Sequence, residues 1–133
     1  MSNEIETLNN IAGYNMFTNN NQSKKGAVAM NIKNSLPGTV KPAQTFIRNG
    51  IETIFADLNT PSGIITVGLV YKRSVGISTE NFSIALEEII SSFNPNIKTY
   101  IMGDHNINLL DYSTSLPVKF FFNLMISHNY YPV

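Results

Sequence analysis

The run from Gly63 to Tyr71, GIITVGLVY, is apolar on both sides of a two-residue alternation. It is far too short to span a bilayer, and it is rich in β-branched residues. It therefore reads as a central strand covered on both faces. The stretch before it, Asn59-Thr60-Pro61-Ser62-Gly63, is a turn signal, and residues 51–58 alternate with Ile54, Ala56 and Leu58 on one side. The two runs predict an antiparallel hairpin. After a loop over 72–78, Phe82, Leu86, Ile89 and Phe93 recur at helical spacing behind Ser78 or Thr79 as N-cap, and Asn94-Pro95 stops the helix. Residues 97–102 then form another strand. Strand, helix and strand make a βαβ unit with parallel strands and a right-handed crossover. Parallel strands bring their carboxyl ends to one rim, so Tyr71 and Asp104, at those two ends, are expected to face a shared cleft.

The rest of the chain is arranged around that unit. Residues 1–10 show little periodicity and read as a frayed end or a short helical turn. Residues 11–17 hold apolar side chains around Gly13, and a polar loop over 19–26 contains Lys24-Lys25. From Ala27 to Lys33 the pattern has period two. Val28, Met30 and Ile32 lie on one side, with Ala27, Ala29, Asn31 and Lys33 on the other, which predicts a strand. Residues 34–50, with Pro37-Gly38 and Pro42, read as loop with one strand piece near 45–47. A second helix is expected behind Ser115, with Pro117 in its first turn and Val118, Phe121, Phe122 and Met125 buried. The Phe120-Phe121-Phe122 cluster reads as core. The last residues, Tyr130-Tyr131-Pro132-Val133, resemble the opening of a further strand.

A length of 133 residues suits one domain. Formal net charge is zero and only 14% of residues are charged, against about 25% in ordinary soluble domains. A nucleic-acid or membrane partner thus has no support from overall charge, and any such contact must be local. Cysteine is absent, which excludes disulfides and thiolate metal sites. The amino-terminal stretch lacks a signal-peptide pattern, so an intracellular protein, neither secreted nor membrane-spanning, is expected. Asparagine occupies eighteen positions and suits turns and caps.

Chemistry concentrates in YIMGDHNINLLDY, residues 100–112. An apolar strand meets Gly103 and releases Asp104, His105 and Asn106. Two readings stay open from spacing. In the first, Asp104 and Asn106 point into the cleft, the carboxylate activating water and the amide holding an oxyanion or phosphate. In the second they form an Asx-turn that merely ends the strand. A calcium loop is disfavoured: Asp104, Asn106 and Asn108 match its first ligands, but Leu109 stands where glycine is required and Ser115 where Glu is required. His105 and His128 lack metal-ligand spacing, and His105 alternates away from Asp104. Tyr71 offers a hydroxyl at the rim, and Lys72-Arg73 a short basic pair able to meet a phosphate backbone.

Three segments taken in order, KKGAVAMNIKNSL, GIITVGLVY and YIMGDHNINLLDY, resemble the endonuclease domain of non-LTR (LINE-type) retrotransposons, a branch of the endonuclease/exonuclease/phosphatase superfamily. The resemblance runs from about Tyr14 to Val133. It implies an α/β fold, a partial four-layer α/β sandwich of two mainly antiparallel sheets flanked by helices. It implies Mg2+- or Mn2+-dependent hydrolysis of DNA phosphodiesters. Asp104 would activate the attacking water, Asn106 hold the phosphate or metal-bound assembly, and Tyr71 contact the scissile phosphate. Lys72 and Arg73 would bind nucleic acid. DNA would be the partner, the nucleus the place of action, and a reverse-transcriptase domain would follow in a complete element.

The departures from the family pattern are specific. Its metal-binding Glu before Thr-Trp has no counterpart here, since Glu4 and Glu6 lie in the wrong context. Its late Ser-Asp-His segment is also missing, and Ser127-His128-Asn129 follows a helix and lacks the Asp. His105 stands where Phe is usual, and Lys72-Arg73-Ser74-Val75 follows Tyr71 without proline. The expectation is one incomplete domain over 1–133, lacking its first strands and its carboxyl-terminal part, with no metal ligands of its own and inactive alone. The alternative is a non-catalytic domain that binds nucleic acid or a protein partner through the old cleft.

Overall fold

The computed structural model describes residues 11–19 and 28–133. The expectations for residues 1–10, Lys24-Lys25 and Ala27 fall outside the described residues. Among the described residues the strands are β1 (Tyr14–Thr18), β2 (Ala29–Lys33), β3 (Gly38–Val40), β4 (Phe46–Arg48), β5 (Ile51–Thr60), β6 (Gly63–Lys72) and β7 (Thr99–Met102). The helices are α1 (Thr79–Ser91) and α2 (Leu116–Ser127). β1 and β2 form an antiparallel ribbon, and β3 to β7 form a second, mixed sheet. The class is α/β.

β5 and β6 are the hairpin expected from the turn at 59–63, paired antiparallel from Ile51↔Lys72 to Thr60↔Gly63. β7 pairs parallel to β6, Thr66 opposite Thr99 and Leu69 opposite Met102, so the βαβ unit is present. The short strands β3 and β4 both pair with the far edge of β5. Between them Pro42, which lacks an N–H, opens a 3-10 turn, Pro42–Gln44. Thr45 Oγ1 there accepts the Phe55 N–H at 3.1 Å, and Thr53 Oγ1 donates to Gln44 O at 2.7 Å. Side-chain hydroxyls thus satisfy backbone groups that the interrupted ladder leaves over.

The sheet separates two cores. On one face Ile51, Phe55 and Val70 pack against Phe82, Leu86, Ile89 and Ile90 of α1 and Phe121 of α2. On the other, Ala56 and Leu58 pack against Ile32 of the ribbon, with Phe17 and Met30 beside them. Ser78 caps α1 by accepting the Asn81 N–H at 3.1 Å, and Ser115 caps α2, each satisfying a helix-end donor. The layers are helices, sheet and ribbon.

Several expectations need correction. β6 is not doubly covered: Thr66, Gly68, Val70 and Lys72 are buried, whereas Ile65, Val67, Leu69 and Tyr71 are only half-buried. Among the described residues, the ribbon of β1 and β2 covers that second face only in part. β1 and β3 went unassigned from sequence, being short and without clear alternation. The α2 face is Val118, Phe121 and Leu124, with Phe122 and Met125 half-buried and Phe120 exposed. Phe93 lies past the end of α1 yet still packs on the core. Residues 130–133 do not form a strand, and Tyr130 instead packs on the helix-side core.

Gly68 explains how an aromatic ring fits inside this sheet. It sits opposite Phe55 across the hairpin, and a Cβ on Gly68 would stand 2.1 Å from Phe55 Cε1. Phe55 is fully buried, so its ring has little room to yield. Gly68→Ala should therefore lower unfolding free energy by about 1–3 kcal/mol in a denaturant titration. Combining it with Phe55→Leu should cost less than the sum of the two single changes, because the collision is gone.

Candidate functional site: a cleft at the carboxyl ends of two parallel strands

The approach of β7 to the end of β6 builds the site. Gly103 has φ +128°, and a Cβ there would lie 2.1 Å from the Val70 carbonyl oxygen. Only glycine lets the chain pass this close. The next residue then continues the pairing beyond the strands: the Lys72 N–H donates to the Asp104 carbonyl at 3.0 Å. Asp104 Oδ1 accepts the Asn106 N–H at 2.9 Å, an Asx-turn. Asn106 takes a left-handed φ of 47°, a conformation asparagine tolerates better than most residues, and its side-chain amide donates to the Lys72 carbonyl.

Tyr71 and Asp104 line one cleft of about 650 Å3, together with Glu52, Leu69, Arg73 and Val75. Asn106 instead lines an adjoining hollow, shared with Asp104, His105 and Phe121. Sequence spacing thus brought Tyr71 and Asp104 together, and Asn106 sits around the corner. The basic pair divides. Lys72 is buried, its Nζ donating to the Arg73 carbonyl at 3.2 Å. The Arg73 side chain is 44% exposed at the lip of the cleft.

The residue that sequence reasoning passed over is Glu52. It lies directly opposite Tyr71 in the β5–β6 ladder, its side chain is 4% exposed, and Oε1 sits 3.2 Å from Arg73 Nη2. A carboxylate is costly to bury unless paired. The signal was present, since Glu52 falls on the same alternate row as Ile54, Ala56 and Leu58. An acid on an apolar row needs a partner.

His105 turns away from the cleft, as alternation predicts, and packs between aromatic rings. Its centroid lies 5.7 Å from Phe82 and 6.3 Å from Phe121. Its Nε2 is buried and has no hydrogen-bond partner among the described residues. Burial pushes its pKa below the ordinary 6.5, partly offset by the adjacent Asp104 carboxylate. His128, the other histidine, meets Glu87 at 3.3 Å, far along the chain from this loop.

The resemblance implies Mg2+ or Mn2+, which carboxylate and imidazole side chains would hold. Among the described residues no three His, Cys, Asp or Glu side chains gather as a metal-ligand group, and the one buried acid of the cleft is committed to an arginine. A larger cavity, about 1110 Å3, lies elsewhere, between β4 and α1 with Phe46, Arg48, Ile84 and Glu88 in its lining. The smaller cleft is the better candidate site, because a carboxylate, a phenol and a guanidinium converge there. No helix among the described residues is long and apolar enough to cross a membrane.

No family model matches the chain, and the comparisons with curated proteins and with solved structures likewise return no match.

His105 carries a testable consequence. A histidine whose folded pKa is depressed binds more protons when unfolded, so its contribution is present above about pH 6.5 and lost as pH falls through the folded pKa. His105→Phe should raise stability at neutral pH by about 1 kcal/mol, since it removes an unpartnered buried nitrogen. The gain should widen toward pH 5. Thermal melts across pH 5–8 read both effects, and a gain that shrinks on acidification would contradict this placement.

Proposed function

We propose that the chain is the central part of a metal-dependent DNA endonuclease domain of the endonuclease/exonuclease/phosphatase type, with the four-layer sandwich of that superfamily. In this reading these 133 residues alone grip a phosphodiester backbone without cutting it. The supporting observation is the cleft in which Tyr71 and Asp104 stand together at the carboxyl ends of parallel strands, with Arg73 at its lip. A phenol and a guanidinium donate hydrogen bonds to phosphate oxygens, and arginine matches phosphate geometry in two-point contact. Acting on DNA, the protein would work in the nucleus.

A specific feature favours binding over hydrolysis. The Asp104 carboxylate already accepts a backbone N–H, and the Asn106 amide already donates to a backbone carbonyl. Both side chains are spent in part on closing the turn. Among the described residues no three His, Cys, Asp or Glu side chains gather as a metal-ligand group. When groups that act as a unit are incomplete, nearly all of the rate is lost.

Supercoiled plasmid incubated with the protein in Mg2+ or Mn2+ should remain un-nicked above background, for the parent chain and for Asp104→Ala alike. Duplex DNA should nevertheless bind. The logarithm of the binding constant should fall linearly with log salt, by roughly 0.9 for each phosphate neutralised. Nicking that disappears in Asp104→Ala would contradict the non-cutting part of the proposal. Absence of salt-dependent binding would contradict the DNA-directed part.

A further inference from the structure

We infer that the buried Glu52 is a positioning residue: it holds the Arg73 guanidinium over the cleft so that Arg73 binds a non-bridging oxygen of a nucleic-acid phosphate. The inference rests on the DNA-directed reading above and specifies how that site takes its ligand.

Three observations carry it. First, Glu52 is the acid of the cleft that is almost wholly shut off from water, with a side chain 4% exposed, while its partner Arg73 is 44% exposed. The pair is therefore one-sided, with the carboxylate anchored and the guanidinium reaching outward. Second, Arg73 is fixed at both ends. Its N–H donates to the Gly50 carbonyl at 2.9 Å, and Nη2 meets Glu52 Oε1 at 3.2 Å. A guanidinium carries five donors in a rigid fork, so one contact to Glu52 leaves donors for a ligand. Third, Glu52, Tyr71, Arg73 and Asp104 line the same cleft. The ordinary alternative is a pair retained only to offset burial of a carboxylate. It predicts nothing about ligand binding, which separates the two.

A negative charge in a phosphate-binding cleft gives the test its sign. If Glu52 acts only through its charge, Glu52→Gln removes repulsion and DNA binds more tightly. If Glu52 positions Arg73, the same change loosens the guanidinium and DNA binds more weakly. Binding of a fluorescein-labelled duplex would be followed by anisotropy across a salt series, in EDTA. The proteins compared are the parent chain, Glu52→Gln, Arg73→Ala and the double variant, each checked for a cooperative melt.

Arg73→Ala should weaken binding roughly tenfold or more, the effect of one charge-assisted hydrogen bond, and lower the salt slope by about one. Glu52→Gln should weaken binding in the same direction, and adding it to Arg73→Ala should change nothing further. Glu52→Gln that binds as tightly as the parent, or more tightly, overturns the positioning role while leaving the DNA-directed reading in place. A parent chain that fails to bind duplex overturns both.

A Glu52→Gln protein too unstable to assay is covered by a second measurement on the parent chain. The Arg73 Nη2 protons, held by Glu52, should be resolved and slow to exchange before ligand is added, and should shift on titration with inorganic phosphate. A fast-exchanging or phosphate-insensitive resonance overturns the inference.

Discussion

Gly103 passes so close to Val70 that the β7 backbone meets the β6 carbonyl with no space for a side chain. Everything at the rim depends on that approach. It lets the Asp104 carbonyl take the Lys72 N–H, and the Asn106 side chain take hold of the Lys72 carbonyl from the other side. Beyond their short ladder, the ends of the two parallel strands are thus locked to each other by two hydrogen bonds and one close backbone approach. Tyr71 and Asp104 inherit their common cleft from this lock.

The lock matters because the two faces of the sheet are unequally covered. Toward the helices the packing is dense: Phe55, Val70, Phe82 and Leu86 are essentially inaccessible. Toward the ribbon, Val67 and Leu69 are half-buried, and Tyr100 and Met102 each remain about half exposed at 51%. The cleft opens on this thinly covered side, where Glu52, Leu69 and Tyr71 all point. Its polar groups are held by a sheet whose rigidity comes from the opposite face. His105 belongs to that opposite face. It carries the loop into the aromatic core between α1 and α2 while Asp104 faces outward.

Most of the framework was legible because its signals were local and strong. The Asn59–Gly63 turn, the Ser78 and Ser115 caps and the Asn94-Pro95 stop each mark an element boundary by a chemical mechanism, and each matches within a few residues. Gly103 was legible as the point where the apolar strand gives way to polar residues. The Tyr71–Asp104 juxtaposition followed from parallel pairing alone. β1 and β3 were not legible, because five- and three-residue strands gain their pairing from partners distant in sequence. Nor was the half-covered face of β6, since an apolar run states what a strand can bury and not what exists to cover it. Lys72 and Arg73 look equivalent in the sequence. Only alternation along β6 and the position of Glu52 send one inward and the other to the lip.

On the proposed function, nucleic acid meets this chain at the joined ends of β6 and β7. Amide chemical-shift mapping of isotope-labelled protein, titrated with a short DNA duplex, tests it most directly. Shifts should concentrate at Glu52, at residues 71–75 and at residues 103–106, and diminish as salt is raised. Shifts centred on the larger cavity between β4 and α1, or spread evenly over the surface, would contradict it.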